Sequence, residues 1–488
     1  MFDKLKLKSA GRNLVPAAAP VAADETPGHR AIYQNRRNFG VNLGSCFVLE
    51  KYMFGDLFID DSKAELDCVE RQVKENGVDQ TREALEEHWK SFMTDDDWNY
   101  LRDKRVNSVR LPVGYWELGR DFSKGTPFEK VAAVYTNAWA IIKSLIEAAA
   151  KYDISVLIDL HALPGGANKG DHSGQILRTP GFWSSSTYKT VAVECCGFLA
   201  KETKKYDHIS GIQIVNEAEY SHDGKDQKLY YAAAINAIRT VNADVPIVIS
   251  DGWSPQPWAE WLHDMGSPLG VVLDCHVYRC FSDEDKKKTP EQITADLERD
   301  CLTLETKADI VVGEYSCVID GQSWDRTQGN REELCHSYGN QQHRWFQERA
   351  DVGSYFWSYK FQYGDGGEWG FRPMVERGCL PQPGEAKLPS DDDFGRTLDQ
   401  HYGDHREYWD KQNSKEKYEH ERYKAGFTTA WNDALAFAQF NSSRLGRVVA
   451  WMQFRRIQHV HASGDGKFVW EWEQGFEQGL KAFNEAAF

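Results

Sequence analysis

No Cys-x-x-Cys pair occurs among the ten cysteines of this 488-residue chain, and their spacing is irregular, with Cys195 and Cys196 adjacent. That excludes a zinc ribbon or a small disulfide scaffold and reads instead as reduced, packed thiols of a reducing compartment. No apolar run approaches the length of a membrane span. No basic block offsets the net charge of −16 (Lys+Arg 58, Asp+Glu 74), which argues against nucleic acid or an anionic lipid surface as a partner. Internal repeats are absent, and no Gly-rich phosphate loop follows the first predicted strand. Aromatics, by contrast, are plentiful, with 17 Trp, 21 Tyr and 24 Phe. A large core uses most of them, and stacking on sugar faces would use a surplus.

Residues 1–38 read as a flexible arm. Lys4, Lys6, Lys8 and Arg12 precede a weakly apolar, Ala-rich run from Leu14 to Ala23, interrupted by Pro16 and Pro20. The run is too feeble for a secretory signal, and a mitochondrial presequence is the alternative to a plain arm. The cytoplasm is therefore the expected compartment, with the mitochondrion second.

From Phe39 onward, short apolar runs alternate with helical patterns. Strands are predicted at 39–43, 106–111, 154–160, 211–215, 246–250, 270–275, 309–313 and 353–357. Helices are predicted at 95–104, 129–151, 185–204, 225–241, 290–305 and 329–349. Eight strands separated mostly by helices predict a (β/α)₈ barrel over 39–383. A doubly wound sheet alternates in the same way, but the missing phosphate loop weighs against it. After Pro383, residues 384–430 are dominated by charge, and apolar residues return in 431–457 and 467–488. Val469, Trp472, Phe476, Leu480 and Phe483 fall on one helical face, so 384–488 reads as a helical extension.

Two strands end on a lone glutamate. Ile212, Ile214 and Val215 lead to Asn216-Glu217, and Ile310, Val311, Val312 and Gly313 lead to Glu314. Polar groups at the C-terminal ends of barrel strands line the active site, and glycoside hydrolysis needs two such carboxyl groups. Glu217 beside an amide suits the acid/base, and Glu314 the nucleophile. Each alone could equally cap the following helix. Arg110, on an apolar strand, must find a carboxylate, either Glu314 or one elsewhere. His161 ends another apolar strand, a position more often filled by a core histidine than by a catalytic one.

In order along the chain, FGVNLGSCFVLEKYM (39–53), RVNSVRLPVGYW (105–116), LHALPGGANKGDHSG (160–174), GIQIVNEAEY (211–220), LDCHVYRCFS (273–282), ADIVVGEYS (308–316), SYFWSYKFQ (354–362), EWGFR (368–372) and GCLPQP (378–383) resemble glycoside hydrolase family 5, within it the fungal exo-1,3-β-glucanase branch. The resemblance covers roughly residues 38–383. It implies a barrel of retaining β-glycosidases with no required metal or cofactor, with Glu217 as acid/base and Glu314 as nucleophile. It places Arg110, His161, Asn216, His276, Tyr278 and Trp357 on the active-site framework. Glu50 and Asp171 match acidic residues that grip the terminal sugar, which gives exo action.

The departures bear on substrate. Ser45-Cys46-Phe47 stands where the branch usually has Gly-Gly-Trp, Tyr315 where Trp is common, Gly170 where a Phe is usual, and His172 where an Asn is usual. The Phe at 170 would be half of an aromatic clamp whose other half survives as Phe281. These changes point away from polymeric 1,3-β-glucan and toward a small β-glucoside, an oligosaccharide or a glycolipid-like conjugate. The first reading is therefore an exo-acting retaining β-glucosidase with no nucleic-acid partner and no membrane span. Its rivals are a non-catalytic carbohydrate-binding or scaffold protein, with 384–488 as a partner surface, and a transglycosylase using the same residues.

Overall fold

The computed structural model describes residues 14–219, 222–266, 269–413 and 415–488. Eight parallel strands close into a barrel in chain order: β1 (Asn38–Asn42), β2 (Ser108–Gly114), β3 (Ser155–Ala162), β4 (Ile209–Gln213), β5 (Ile247–Ser250), β6 (Val271–Val277), β7 (Ile310–Tyr315) and β8 (Gly353–Phe356). β8 returns to pair with β1, Asn38 lying opposite Gly353. Gly353 has φ +100°, and a Cβ there would sit 1.9 Å from the Asn38 carbonyl oxygen, so closure depends on that glycine.

Strand alternation explains how polar groups come to sit inside a buried barrel. Residues two apart share a face. On β3 these are Leu157, Asp159 and His161, and on β6 Val272, Asp274 and His276. Leu157 and Val272 pack with Val248, Val311, Val352 and Tyr355 in an apolar cluster of their own. The polar residues that follow on the same faces meet further along, toward the strands' C-terminal ends. β7 breaks the alternation: the pairing register shifts between Cys275 and His276, and again between Val312 and Tyr315. Such irregularities re-aim side chains, and here Glu314 lands opposite His276. Gly313 lets the neighbouring strand close in, since a Cβ there would lie 2.2 Å from Asp274 Oδ1. Its N–H donates to that oxygen at 2.7 Å.

The barrel expectation holds, with corrections to its elements. β4 ends at Gln213, before the predicted 215. Ile214 and Val215 are buried like strand residues, and the Ile214 N–H still donates to the Val248 carbonyl of β5 at 3.0 Å, before the chain reaches Glu217 at φ +45°. The predicted helix 129–151 is broken: a 3₁₀ segment covers Pro127–Val131, turns follow, and the α-helix runs only over Ala138–Ala150. A helical segment over Glu65–Ser91, kinked at Gly77, was not predicted.

The described chain divides into two compact units, one of residues 14–17 and 38–382, the other of 18–37 and 383–488. Residues 18–37 are thus not an arm: His29–Asn35 is helical, with Ile32 and Tyr33 buried. The cationic stretch with Lys4 and Arg12 lies outside the described residues. The second unit is helical over Asp391–Gln412, Glu421–Gln439, Val448–Ser463 and Val469–Ala487. Its core holds Trp431, Trp451, Trp472, Phe427, Phe476 and Phe483. Helices 421–439 and 469–487 touch backbone to backbone through Gly426, Gly475 and Gly479, where a Cβ would meet a carbonyl oxygen at 2.0, 2.0 and 2.5 Å. Glu471 Oε2 accepts from both His405 and His420 at 2.9 Å, and the other ring nitrogen of His420 lies 3.2 Å from Asp410. Among the described residues, no helix is long and apolar enough to cross a membrane.

Candidate active site

A pocket of about 350 Å³ opens at the C-terminal ends of the strands. Every residue predicted for the site lines it except Arg110 and His276, which reach it through Glu314 and Glu217. An oxygen of Glu217, a ring nitrogen of His276 and an oxygen of Glu314 all lie within 4.8 Å of one another.

Arg110 is the hub beneath Glu314. It is wholly buried on β2, and its fork is fully used. Nη1 donates to Glu314 Oε1 and to Asn42, both at 2.8 Å. Nη2 donates to Asn216 at 2.7 Å and lies 2.9 Å from Asp159, and Nε donates to Gln213 at 3.0 Å. The Tyr278 hydroxyl donates to the other oxygen of Glu314 at 2.9 Å. Two donors on two oxygens fix the plane of this carboxylate. Asp159 also holds His161 Nδ1 at 2.6 Å, and the far side of that ring lies 3.4 Å from the Asn216 amide.

Glu217 sits among imidazoles. His276 Nδ1 is 2.9 Å from its Oε1, and His172 Nε2 is 3.3 Å from its Oε2. His276 Nε2 rests on Asp274 Oδ2 at 3.0 Å, and Asp274 also accepts from Gln213 at 2.7 Å. Burial alone would raise Glu217, but the hydrogen bond from His276 and the charges of His172, His276 and His161 hold it at about 2. Burial would likewise lower His276. It is overcome by Glu314 and Asp274 and by hydrogen bonds to Asp274 and Glu217, which lift the imidazole well above its ordinary value. The carboxyl group of the pair is thus drawn toward its ionised form and the imidazole toward its protonated form. The cause is an imidazole surrounded by three carboxylates.

At the sugar-gripping end, burial first, and then the charges of Glu314, Asp171 and Glu217, push Glu50 well above the usual carboxylate range. Asp171 lies at the exposed side of the pocket. Trp357 stacks parallel to His161 with ring centres 6.1 Å apart and donates through Nε1 to the Tyr52 hydroxyl at 2.6 Å. Phe281 is 63% exposed and packs against Tyr278 and Trp369, with centroids 5.5 and 6.2 Å away. Tyr52 and Trp369 were missed, although both lie in stretches that carried the resemblance. Asp159 and Asp274 were missed as partners of His161 and His276. Their Asp-x-His spacing on a strand, which puts acid and base on one face, was the available signal.

A family model described as cellulase (glycosyl hydrolase family 5) matches residues 73–362, and one described as the glucan 1,3-beta-glucosidase 3 C-terminal domain matches 392–487. The chain is 37% identical, over 99% of its own length and 98% of the relative's, to an uncharacterized glycosyl hydrolase of Saccharomyces cerevisiae. It is 35% identical, over 91% and 94% respectively, to glucan 1,3-beta-glucosidase 3 of Schizosaccharomyces pombe. Among solved structures, the rutinosidase of Aspergillus niger superposes with a TM-score of 0.59 at 19% identity, over 72% of this chain and 99% of that one, a likeness of fold.

Proposed function

The chain belongs to glycosyl hydrolase family 5, and from that premise we propose that it removes terminal β-linked glucose from small β-glucosides by double displacement, with Glu217 as acid/base and Glu314 as nucleophile. The observation that carries this reading is that an oxygen of Glu217 and an oxygen of Glu314, from the ends of different strands, lie within 4.8 Å of each other in one pocket. Retaining enzymes hold their carboxyl groups ~5–5.5 Å apart, whereas inverting enzymes need ~6.5–9.5 Å to admit a water. The name of the Schizosaccharomyces pombe relative, glucan 1,3-beta-glucosidase 3, supports glucose as the sugar removed.

In the first step Glu314, oriented by Arg110 and Tyr278, attacks the anomeric carbon while the glycosidic oxygen takes a proton from Glu217. That proton reaches Glu217 from His276 along their 2.9 Å hydrogen bond. In the second step Glu217 accepts a proton from water, which attacks the same carbon and frees Glu314. Glu50 and Asp171 grip hydroxyls of the terminal ring, and the raised Glu50 can donate as well as accept. The modest pocket volume supports exo action on a short glycoside, and the exposed Phe281 with the half-buried Trp369 supplies a face for the leaving group. Ten free, buried cysteines support a reducing, cytoplasmic setting.

The test is turnover of an aryl β-glucoside by wild type, Glu314→Ala and Glu217→Ala. Wild type should turn over, and loss of the nucleophile should cost several orders of magnitude. A wild type inactive across a panel of β-glucosides would refute the proposal.

A further inference from the structure

The loop after β3 contains both departures that most affect the pocket, Gly170 and His172. Gly170 has φ −62° and ψ 145°, a backbone any residue adopts, so its conformation does not require glycine. Its surroundings do. A Cβ at 170 would lie 2.3 Å from His172 Cε1 and 2.7 Å from Nε2, because the imidazole fills the space a side chain would take. That ring lies beside the acid/base: its Nε2 is buried and stands 3.3 Å from Glu217 Oε2, off the line of a hydrogen bond. The loop is also tied to Glu217 through the backbone. Asn168 Nδ2 donates to the Glu217 carbonyl at 2.9 Å, and Asn168 Oδ1 accepts the Gly170 N–H at 2.7 Å. His276 holds Oε1 from the opposite side.

We propose that Gly170 and His172 form one device, in which the missing side chain at 170 seats the His172 imidazole against Oε2 of Glu217 and makes His172 a positioning residue that sets the pH up to which the Glu217–His276 pair holds its proton. The proposal rests on the reading of Glu217 as acid/base.

A carboxylate oxygen 3.3 Å from Nε2 favours the tautomer with hydrogen on that nitrogen, and the positive end of that ring's dipole favours the ionised carboxylate. The groups facing His172 are Glu217 and Glu314, Asp171 on its own loop, and His161 on β3 at 5.3 Å between ring centres. Glu217 is faced in addition by His276 from β6, and Glu50 adds its charge from across the pocket. Burial keeps His172 itself low, so it acts through the dipole of a neutral ring rather than as a fixed cation. Without it, the Glu217–His276 pair retains its shared proton to higher pH, and the alkaline limb of activity moves upward.

The experiment is the pH profile of kcat/KM on an aryl β-glucoside for wild type, His172→Asn, Gly170→Ala and the double variant, each with its Tm. His172→Asn should move the alkaline limb upward by about 0.5–1 pH unit. Gly170→Ala leaves the imidazole in the chain but pushes it aside, so its limb should move in the same direction. The double variant should move no further than His172→Asn alone, since the ring can be lost only once. An unmoved limb in His172→Asn overturns the proposal, and so do shifts that add in the double variant. If Gly170→Ala fails to fold, the His172→Asn limb decides. A wild type that turns over, with Glu217→Ala disabled and the His172→Asn limb in place, sinks this inference alone. A wild type without activity sinks it together with the reading beneath it.

Discussion

Replacing Arg110 by lysine keeps the positive charge and removes the fork. The guanidinium serves Glu314, Asn42, Asn216, Asp159 and Gln213 from three nitrogens spread across a rigid plane. An ammonium offers three donors from a single atom and cannot span partners on β1, β3, β4 and β7 together. At least two hydrogen bonds to charged or buried polar groups are lost, each worth about 1.5–3 kcal/mol when a charge is involved. The total, about 3–6 kcal/mol, divides between fold stability and the positioning of Glu314. If about 3 kcal/mol falls on the transition state, kcat drops roughly 10²-fold. Steady-state kinetics on an aryl β-glucoside, beside thermal unfolding of the same preparation, separates the two shares. Arg110→Lys should lose at least 10²-fold in kcat/KM and should unfold earlier. A variant within threefold of wild type and with unchanged Tm would refute the role given to this hub.

Burial lifts Asp251, just past β5, to about 7, against a hydrogen bond from the Trp253 N–H. The folded state then binds more protons than the unfolded one between about pH 4 and 7, so this group costs stability as pH rises through that window, at about 1.4 kcal/mol per pKa unit. Asp251→Asn should therefore raise Tm at pH 8 and leave it almost unchanged at pH 4, as read by calorimetry at both values. Gly353→Ala forces a Cβ onto the Asn38 carbonyl at the barrel seam and should cost more than about 3 kcal/mol in denaturant titration. Phe281→Ala removes an exposed face of the leaving-group site; KM for an aryl glucoside should rise about tenfold while kcat stays within about threefold.

The barrel was legible because buried parallel strands write themselves as short β-branched runs, and both glutamates stood at the ends of such runs. What the sequence hid arises from three-dimensional detail. Ile214 and Val215 are as buried as any strand residue, so hydrophobicity could not reveal that the regular strand stops at Gln213. The apolar pattern of 129–151 serves equally for a 3₁₀ segment, turns and a helix, because all three bury the same residues. Helix 65–91 buries few of its residues and so carries little periodic signal. Residues 18–37 looked like an arm because they are Ala- and Pro-rich, yet Ile32 alone is 2% exposed within the second unit. The upward shift of His276 was out of reach of sequence reasoning, since it depends on the register shift that sets Glu314 opposite that ring. Tyr52 and Trp369 were overlooked as ordinary aromatics, and only the pocket distinguishes them from core.

The central claim, that two carboxyl groups this close act in succession on one carbon, is tested most directly by the stereochemistry of the first product. Proton NMR of the sugar released from a β-glucoside, recorded before mutarotation, should show the β-anomer forming first. Initial release of the α-anomer would mean a single displacement by water and would contradict the account.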